Sequence, residues 1–255
     1  MRQVSQFSLV CMVVAGVLSV PAHAAEKATK VEQNVRTYSV GLGKTRIIYN
    51  PATSGAVISV SNSNEFPVLV QSSVKPADEK EGAAPFVVTP PLFRLDAKQQ
   101  SRLRVVMTQD VKVKDKESLY WLCAMGIPPE QGDAWAEDNA SVKSANTASL
   151  NVSVRMSQCI KLILRPEAVK GQPQDVASSV TWRREGDKLI ANNPTPFYMN
   201  VKTLSVGGKD VPDMDYIPPM DSRSFGVPRG ASGKVSWTIV NDLGGDSGPY
   251  QANVR

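Results

Sequence analysis

Lys161 stands near the far end of a stretch whose residue types suggest one kind of chemistry. The stretch is Leu150-Asn-Val-Ser-Val-Arg-Met-Ser-Gln-Cys159-Ile-Lys161-Leu-Ile-Leu-Arg165-Pro166. Its cation can hold an anion, and its thiol can tie the segment to a neighbour. Its first half sets Leu150, Val152, Val154 and Met156 apart by single polar residues. A period of two puts these four on one face of a strand. Any half-buried strand of an ordinary sandwich shows the same alternation, so the rest of the chain has to decide what the face is for.

Several chemistries are excluded at once. The only histidine is His23, and it falls in a segment with the layout of a secretory signal. Arg2 supplies the positive start, Phe7 to Val20 the short apolar core, and Ala22-His23-Ala24 the small-x-small cleavage site. Cleavage after Ala24 leaves 231 of the 255 residues and no histidine. That removes Ser-His-Asp and Cys-His nucleophile systems and histidine-based metal sites. Gly43-Lys44-Thr45 imitates the end of a phosphate-binding loop, but the first glycine that loop needs would fall at Tyr38, and no strand-to-helix context follows. The carboxylates Glu130, Asp133, Glu137 and Asp138 read as a solvated loop rather than a glycosidase pair. The triplets at Asn139 and Asn151 that match a glycosylation acceptor are short enough to arise by chance.

The apolar core of the signal is too short for a stable membrane span, and no later stretch reaches ~18 apolar residues. The mature length suits two domains of ~100 residues each. Cys11 leaves with the signal, so Cys123 and Cys159 remain. An exported chain with two cysteines is expected to join them. The bridge would close a loop of ~36 residues, worth roughly 4 kcal/mol on the chain-entropy model. Formal net charge falls from +5 to +4 when Arg2 is lost. The basic residues are scattered, with no aromatic-interleaved stripe, which argues against nucleic acid as a partner.

The elements that must position these residues read as short strands. Tyr38, Val40 and Leu42 alternate, and 46–49, 55–62, 67–74, 86–93, 101–107 and 118–125 follow, with prolines breaking the 86–93 run. With 150–164 taken as one strand, these make about seven, the count of an immunoglobulin-like sandwich. Residues 127–148 form a long polar connection, of a length usually functional or disordered. Residues 165–173 read as an interdomain linker. Beyond it, 180–182, 188–192, 197–201, Ile217-Pro-Pro219 and 234–240 suggest a second β-sandwich. Ala25 to Arg36 is polar and low in pattern. The fold class is therefore all-β, with a signal segment 1–24, a first domain 25–165 and a second 166–255.

Five strings in order carry a resemblance: Thr89-Pro-Pro-Leu-Phe-Arg-Leu95, Leu122-Cys-Ala-Met-Gly-Ile-Pro-Pro129, Ile160-Lys161 with Arg165-Pro166, Asn193-Pro-Thr-Pro-Phe-Tyr198, and Asn241-Asp-Leu-Gly-Gly245. Together they resemble the periplasmic pilus-assembly chaperones of the PapD-like class over essentially the whole mature chain. The long 127–148 connection and the Cys123/Cys159 pair resemble its long-loop (FGL-type) branch. The resemblance implies two immunoglobulin-like sandwiches set at an angle, in a periplasmic protein that is not an enzyme and uses no cofactor, metal, nucleic acid or small-molecule substrate. Its partners would be fimbrial or capsule-like fibre subunits and an outer-membrane usher. The protein would lend a strand carrying Leu150, Val152, Val154 and Met156 to a subunit whose sandwich lacks one. Tyr38, Val40 and Leu42 would form a second lent strand beside the first. Arg46 and Lys161 would hold the subunit's terminal carboxylate, and Glu117, Arg165 and Asp242 would form a charge triad between the domains. An exposed apolar row is also an aggregation hazard, so the empty protein is expected to cover it, by self-association or with the long loop.

Two other classes compete. A structural fibre subunit or adhesin usually has one incomplete sandwich and an N-terminal donor arm, whereas the best donor pattern here is internal. A secreted hydrolase would need a Ser–Lys or carboxylate pair in one pocket, and no spacing in the chain provides one.

Overall fold

The computed structural model describes residues 31–78, 83–130, 133, 135 and 148–254. The expected signal segment and most of the expected long connection lie outside the described residues. Up to residue 164 the chain forms β1 (Val31–Tyr38), β2 (Gly41–Leu42), β3 (Arg46–Tyr49), β4 (Ala56–Ser61), β5 (Val68–Pro76), β6 (Phe86–Thr89), β7 (Leu92–Leu95), β8 (Gln100–Met107), β9 (Ser118–Ile127), β10 (Ala148–Arg155) and β11 (Ser157–Leu164). Two sheets face one another, in the orders β3-β11-β9-β5-β7 and β2-β4-β8-β6. Alternation in each strand supplies the filling: Ile47 and Tyr49 from β3, Ile58 and Val60 from β4, Leu103 and Val105 from β8, and Leu162 and Leu164 from β11 are buried in one core.

The 86–93 run is two strands in opposite sheets. β6 pairs with β8, and β7 pairs with β5. Pro90 and Pro91 lie between them and have no N–H for a ladder, so the chain changes sheets there. The 150–164 stretch is also two strands, interrupted at Met156. β11 stays in the large sheet between β3 and β9, while β10 leaves it and, among the described residues, pairs with β1 alone, in parallel, from Val31↔Ala148 to Tyr38↔Arg155.

The second half opens with a short helix, α1 (Pro173–Val176), which begins at the last residue of the expected linker 165–173. Then come β12 (Thr181–Glu185), β13 (Lys188–Asn193), β14 (Met199–Val206), β15 (Lys209–Asp210), β16 (Tyr216–Ile217), β17 (Asp221–Gly226), β18 (Val235–Val240) and β19 (Asp246–Ala252). One sheet runs β12-β13-β17, and the other β15-β14-β18-β19 with β16 also on β14. Trp182 and Trp237 meet at the centre, 5.2 Å between rings, both fully buried. Each half carries a buried asparagine that stitches a turn. Asn62 donates through Nδ2 to Phe66 O at 2.8 Å, and Asn193 does the same to Phe197 O at 2.8 Å. The two sandwiches are thus built on the same local device, with the core residues of each in a separate cluster.

β1 passes close against the main sheet at Gly126 of β9. A Cβ at Gly126 would lie 2.7 Å from Tyr38 O and 2.8 Å from Tyr38 C, closer than a side chain tolerates. Gly126→Ala is therefore expected to lower stability by ~1–3 kcal/mol through overpacking and to speed amide exchange across 31–38. Urea unfolding with exchange mass spectrometry checks this, and unchanged exchange in β1 would refute the tight approach.

Candidate functional site

β1 and β10 form a two-stranded ribbon. Directly paired residues of parallel strands share a face, so Val35 lies beside Val152, on the side that carries Leu150 and Val154. This side is open. Val35 is 61 % exposed, Leu150 49 %, Val152 40 %, Val154 38 % and Met156, at the ribbon's root, 50 %. The root is tied to the sandwich by backbone bonds. Met156 N–H donates to Tyr38 O at 3.0 Å, and Gly126 N–H donates to Met156 O at 3.2 Å. Among the described residues β10 has one neighbouring strand, β1.

The expected second strand differs. The strand beside β10 is 31–38, and of the expected trio only Tyr38 belongs to it. Tyr38 and Val40 are buried in the first sandwich's own core, and Leu42 packs against that core. Their alternation reports burial at home rather than an available face. Val31-Glu-Gln-Asn-Val-Arg-Thr-Tyr38 holds only Val35 at an apolar position within the ribbon's middle, so its pattern is too sparse to read as a strand. Cys123 and Cys159 are cross-strand partners of β9 and β11 and form a disulfide of 2.06 Å just beyond the root.

The cleft follows from the alternation of β11. Ile160, Leu162 and Leu164 point into the core, so Lys161, Ile163 and Arg165 share the opposite face. β3 runs parallel to β11 with Arg46 paired to Lys161. Two cations thus stand side by side on one sheet face. Arg46 donates through Nη1 to Val240 O at 3.2 Å, while its buried Nε has no partner among the described residues. The Lys161 ammonium donates to Asn200 Oδ1 at 2.6 Å and sits 5.1 Å from the centre of the Tyr216 ring. Burial, with help from the Arg46 and Arg223 charges, pulls the Lys161 amine down to about 8. Burial also lowers Arg46, against the opposing pull of Asp242.

Arg165, further along the same face, meets both carboxylates of the expected triad. It donates through Nε to Glu117 Oε1 at 2.7 Å, and through Nη1 and Nη2 to Asp242 at 2.7 and 2.8 Å. Glu117 is buried, and its other oxygen accepts from Tyr198 N–H at 2.7 Å. Burial pushes the Glu117 carboxyl up to about 7, although Arg165 and Tyr198 N–H pull the other way. The triad joins strands of both halves: Glu117 precedes β9, Arg165 follows β11 and Asp242 follows β18.

Three cleft residues were not singled out by the sequence. Asn200, Tyr216 and Arg223 come from β14, β16 and β17. Arg223 lies 4.4 Å from the Tyr216 ring and is ion-paired to Asp215. Nothing in Asp221-Ser-Arg-Ser-Phe225 marks a site, because only tertiary packing brings it to Lys161. Among the described residues no group of three or more His, Cys, Asp or Glu side chains is placed to hold a metal ion. The arrangement can take an anion between Arg46 and Lys161 and present an apolar strand edge beyond it.

Residues 39–170 match the family described as the pili and flagellar-assembly chaperone, PapD N-terminal domain, and residues 175–251 match the pili assembly chaperone PapD, C-terminal domain. The chain belongs to the PapD-like pilus-assembly chaperones. It is 52 % identical to the chaperone protein AfaB of Escherichia coli over 222 residues, covering 85 % of this chain and 90 % of that protein. Among solved structures it is similar to the E. coli chaperone DraB, with TM-score 0.78 and 48 % identity over 88 % of this chain and 100 % of that one. It is also similar to a chain of the Salmonella enterica SafA pilin–SafB chaperone complex, with TM-score 0.76 and 43 % identity over 87 % and 99 %.

Arg165 is only 14 % exposed at its side chain, so removing it strands two carboxylates. Arg165→Ala is expected to cost ~3–5 kcal/mol and to split thermal unfolding into two transitions, one per sandwich. Calorimetry reads this directly, and a single unshifted transition would show that the triad does not couple the halves.

Proposed function

We propose that this chain is a periplasmic chaperone that captures a fimbrial or capsule-like fibre subunit by lending it β10, then passes it to an outer-membrane usher. In this reading residues 1–24 are a cleaved signal, 25–165 and 166–255 are the two domains, and the protein works by binding rather than by catalysis. Fibre assembly is supported by the family and by the SafB chaperone, whose solved complex holds the SafA pilin. The observation that carries the strand-lending step is the open apolar row of β10, rooted one strand length from the Arg46–Lys161 pair.

The physics of the step is simple. A sandwich lacking a strand exposes a core groove and two backbone edges. Leu150, Val152, Val154 and Met156 fill the groove, each burial being worth ~1.5–3 kcal/mol, and the backbone of β10 pairs with the edge. Val35 on β1 extends the same apolar face, so β1 takes the part expected of a second lent strand. The subunit's terminal carboxylate enters between Arg46 and Lys161. An arginine offers a planar fork and a lysine a point charge beside it. The anchor sets register, because a slip of one residue turns every apolar side chain away from the groove. The empty protein is expected to cover the same row, by self-association or with the long loop. Purification as heterogeneous polymers would instead favour a structural subunit.

Lys161→Ala and Arg46→Ala are each expected to fold and be exported, yet to lose ~2–5 kcal/mol of subunit binding. Val154→Arg fails differently: it keeps the anchor and puts a charge into an apolar groove. Amidating the C-terminus of a subunit peptide weakens binding to the wild type and affects Lys161→Ala less. Full subunit protection by the double alanine variant would sink the anchor while leaving the lent strand.

The pH dependence has a definite sign. In the empty protein the Lys161 amine loses its proton near pH 8, and a bound carboxylate favours the protonated form. Binding therefore takes up a proton above that pH, and affinity falls as pH rises through about 8. Titrating the affinity of a free-acid peptide from pH 6.5 upward tests this, with Lys161→Met expected to show no such fall.

A further inference from the structure

The partner of Lys161 belongs to the other half of the molecule. Asn200 is 4 % exposed, and its Oδ1 takes a bond of 2.6 Å from the ammonium. The amide is oriented from its other end, where Nδ2 faces Tyr198 O at 3.5 Å. Asn200 pairs across the sheet with Tyr216, the same residue whose ring the ammonium faces at 5.1 Å. A single strand pair of the second sandwich therefore receives a lysine of the first, with an oxygen on one residue and a ring on its neighbour. An ammonium has three N–H donors. One is used by Asn200, which leaves donors for an incoming anion.

The surrounding charges make this hold necessary. Arg46 and Arg223 both repel the ammonium. The acidic groups in the cleft are engaged elsewhere: Asp215 with Arg223, and Glu117 and Asp242 with Arg165. With all groups ionised, Arg46, Lys161, Arg165 and Arg223 outnumber Glu117, Asp215 and Asp242 by one positive charge, which one terminal carboxylate would cancel. A flexible lysine beside two arginines would otherwise swing out to water. Asn200 supplies a neutral acceptor that keeps it in the cleft without spending the excess charge.

We propose that Asn200 is the positioning residue of the carboxylate anchor: it fixes the Lys161 ammonium from the second sandwich, so that the packing of the two halves decides where a subunit's terminus is held. This rests on the reading that Lys161 holds that carboxylate.

The test uses the whole chain with Asn200→Ala, Asn200→Asp and Lys161→Ala. The probe is a synthetic peptide alternating valine and serine, with a free C-terminal carboxylate or its amide. Acetic anhydride labelling of Lys161, read by mass spectrometry across pH, follows the amine itself, and tryptophan fluorescence confirms folding. Asn200→Ala is expected to weaken free-acid binding by ~10-fold, the scale of one hydrogen bond to a charged group, with little change for the amide, and to move the Lys161 titration downward. Asn200→Asp moves that titration upward and still weakens binding, because the added carboxylate cancels the charge the ligand needs. If Asn200→Asp does not fold, Asn200→Ala decides. Folded Asn200 variants that bind and titrate like the wild type, while Lys161→Ala loses binding, would overturn the role of Asn200 and leave the anchor standing. Retained free-acid binding by Lys161→Ala would overturn the anchor reading, and this proposal with it.

Discussion

The register between β3 and β11 is the constraint on which the rest depends. Four consecutive parallel pairs, from Lys161↔Arg46 to Leu164↔Tyr49, set it. The inward face of those pairs is apolar: Ile47, Tyr49, Leu162 and Leu164 are all buried. A shift by one residue would drive Arg46 or Lys161 into that core, at the cost of burying an unpaired charge. The core therefore holds the cations side by side without any bond between them, which their repulsion would forbid. The same strand carries the root of the ribbon at its start and Arg165 just past its end. Apolar packing in the first sandwich thereby places the ribbon, the cation pair and the tie to the second sandwich in one line.

The cleft is assembled from groups that are costly apart. Glu117 is buried, its carboxyl pushed up to about 7, and it is tolerable because Arg165 and Tyr198 N–H meet it. Arg165 in turn binds Asp242 with two parallel bonds, a geometry only a guanidinium supplies. A buried ion network adds little to net stability compared with apolar residues of the same size, but it is sensitive to loss of any member. Such a network suits a joint whose geometry has to be maintained more than it suits a joint that has only to be strong.

Much of this was legible in the residues. Period-two alternation marks most strands of the first sandwich, and Leu150 to Met156 stand out as an apolar row from the sequence alone. The resemblance, not the spacing, singled out Arg46 and the triad. What escaped the sequence shares a physical cause. β17 and β19 are polar or interrupted by glycine and proline, because sheet neighbours rather than their own apolar content hold them in place. The break at Met156 is invisible because both β10 and β11 keep the alternation, and only the choice of partner strand changes. Tyr38, Val40 and Leu42 misled for the converse reason: an alternating face says that a side is apolar, not against what it packs. Asn200 and Arg223 carried no signal, since their role exists only where two domains meet.

The parallel pairing of the ribbon has a consequence for how the protein comes into being. Val31 pairs with Ala148, and Tyr38 with Arg155, so the two strands lie more than a hundred residues apart in the chain. A local hairpin cannot make such a ribbon, and closing so long a loop carries an entropic cost that only the folded sandwich between the strands offsets. As the polypeptide emerges from the N-terminus onward, β1 has to wait, unmatched, until nearly the whole first sandwich has appeared. The ribbon therefore forms only after 148–155 has appeared. A chain truncated before β10 has no ribbon at all, so the apolar row and its partner strand come together in one late step of the first sandwich's synthesis.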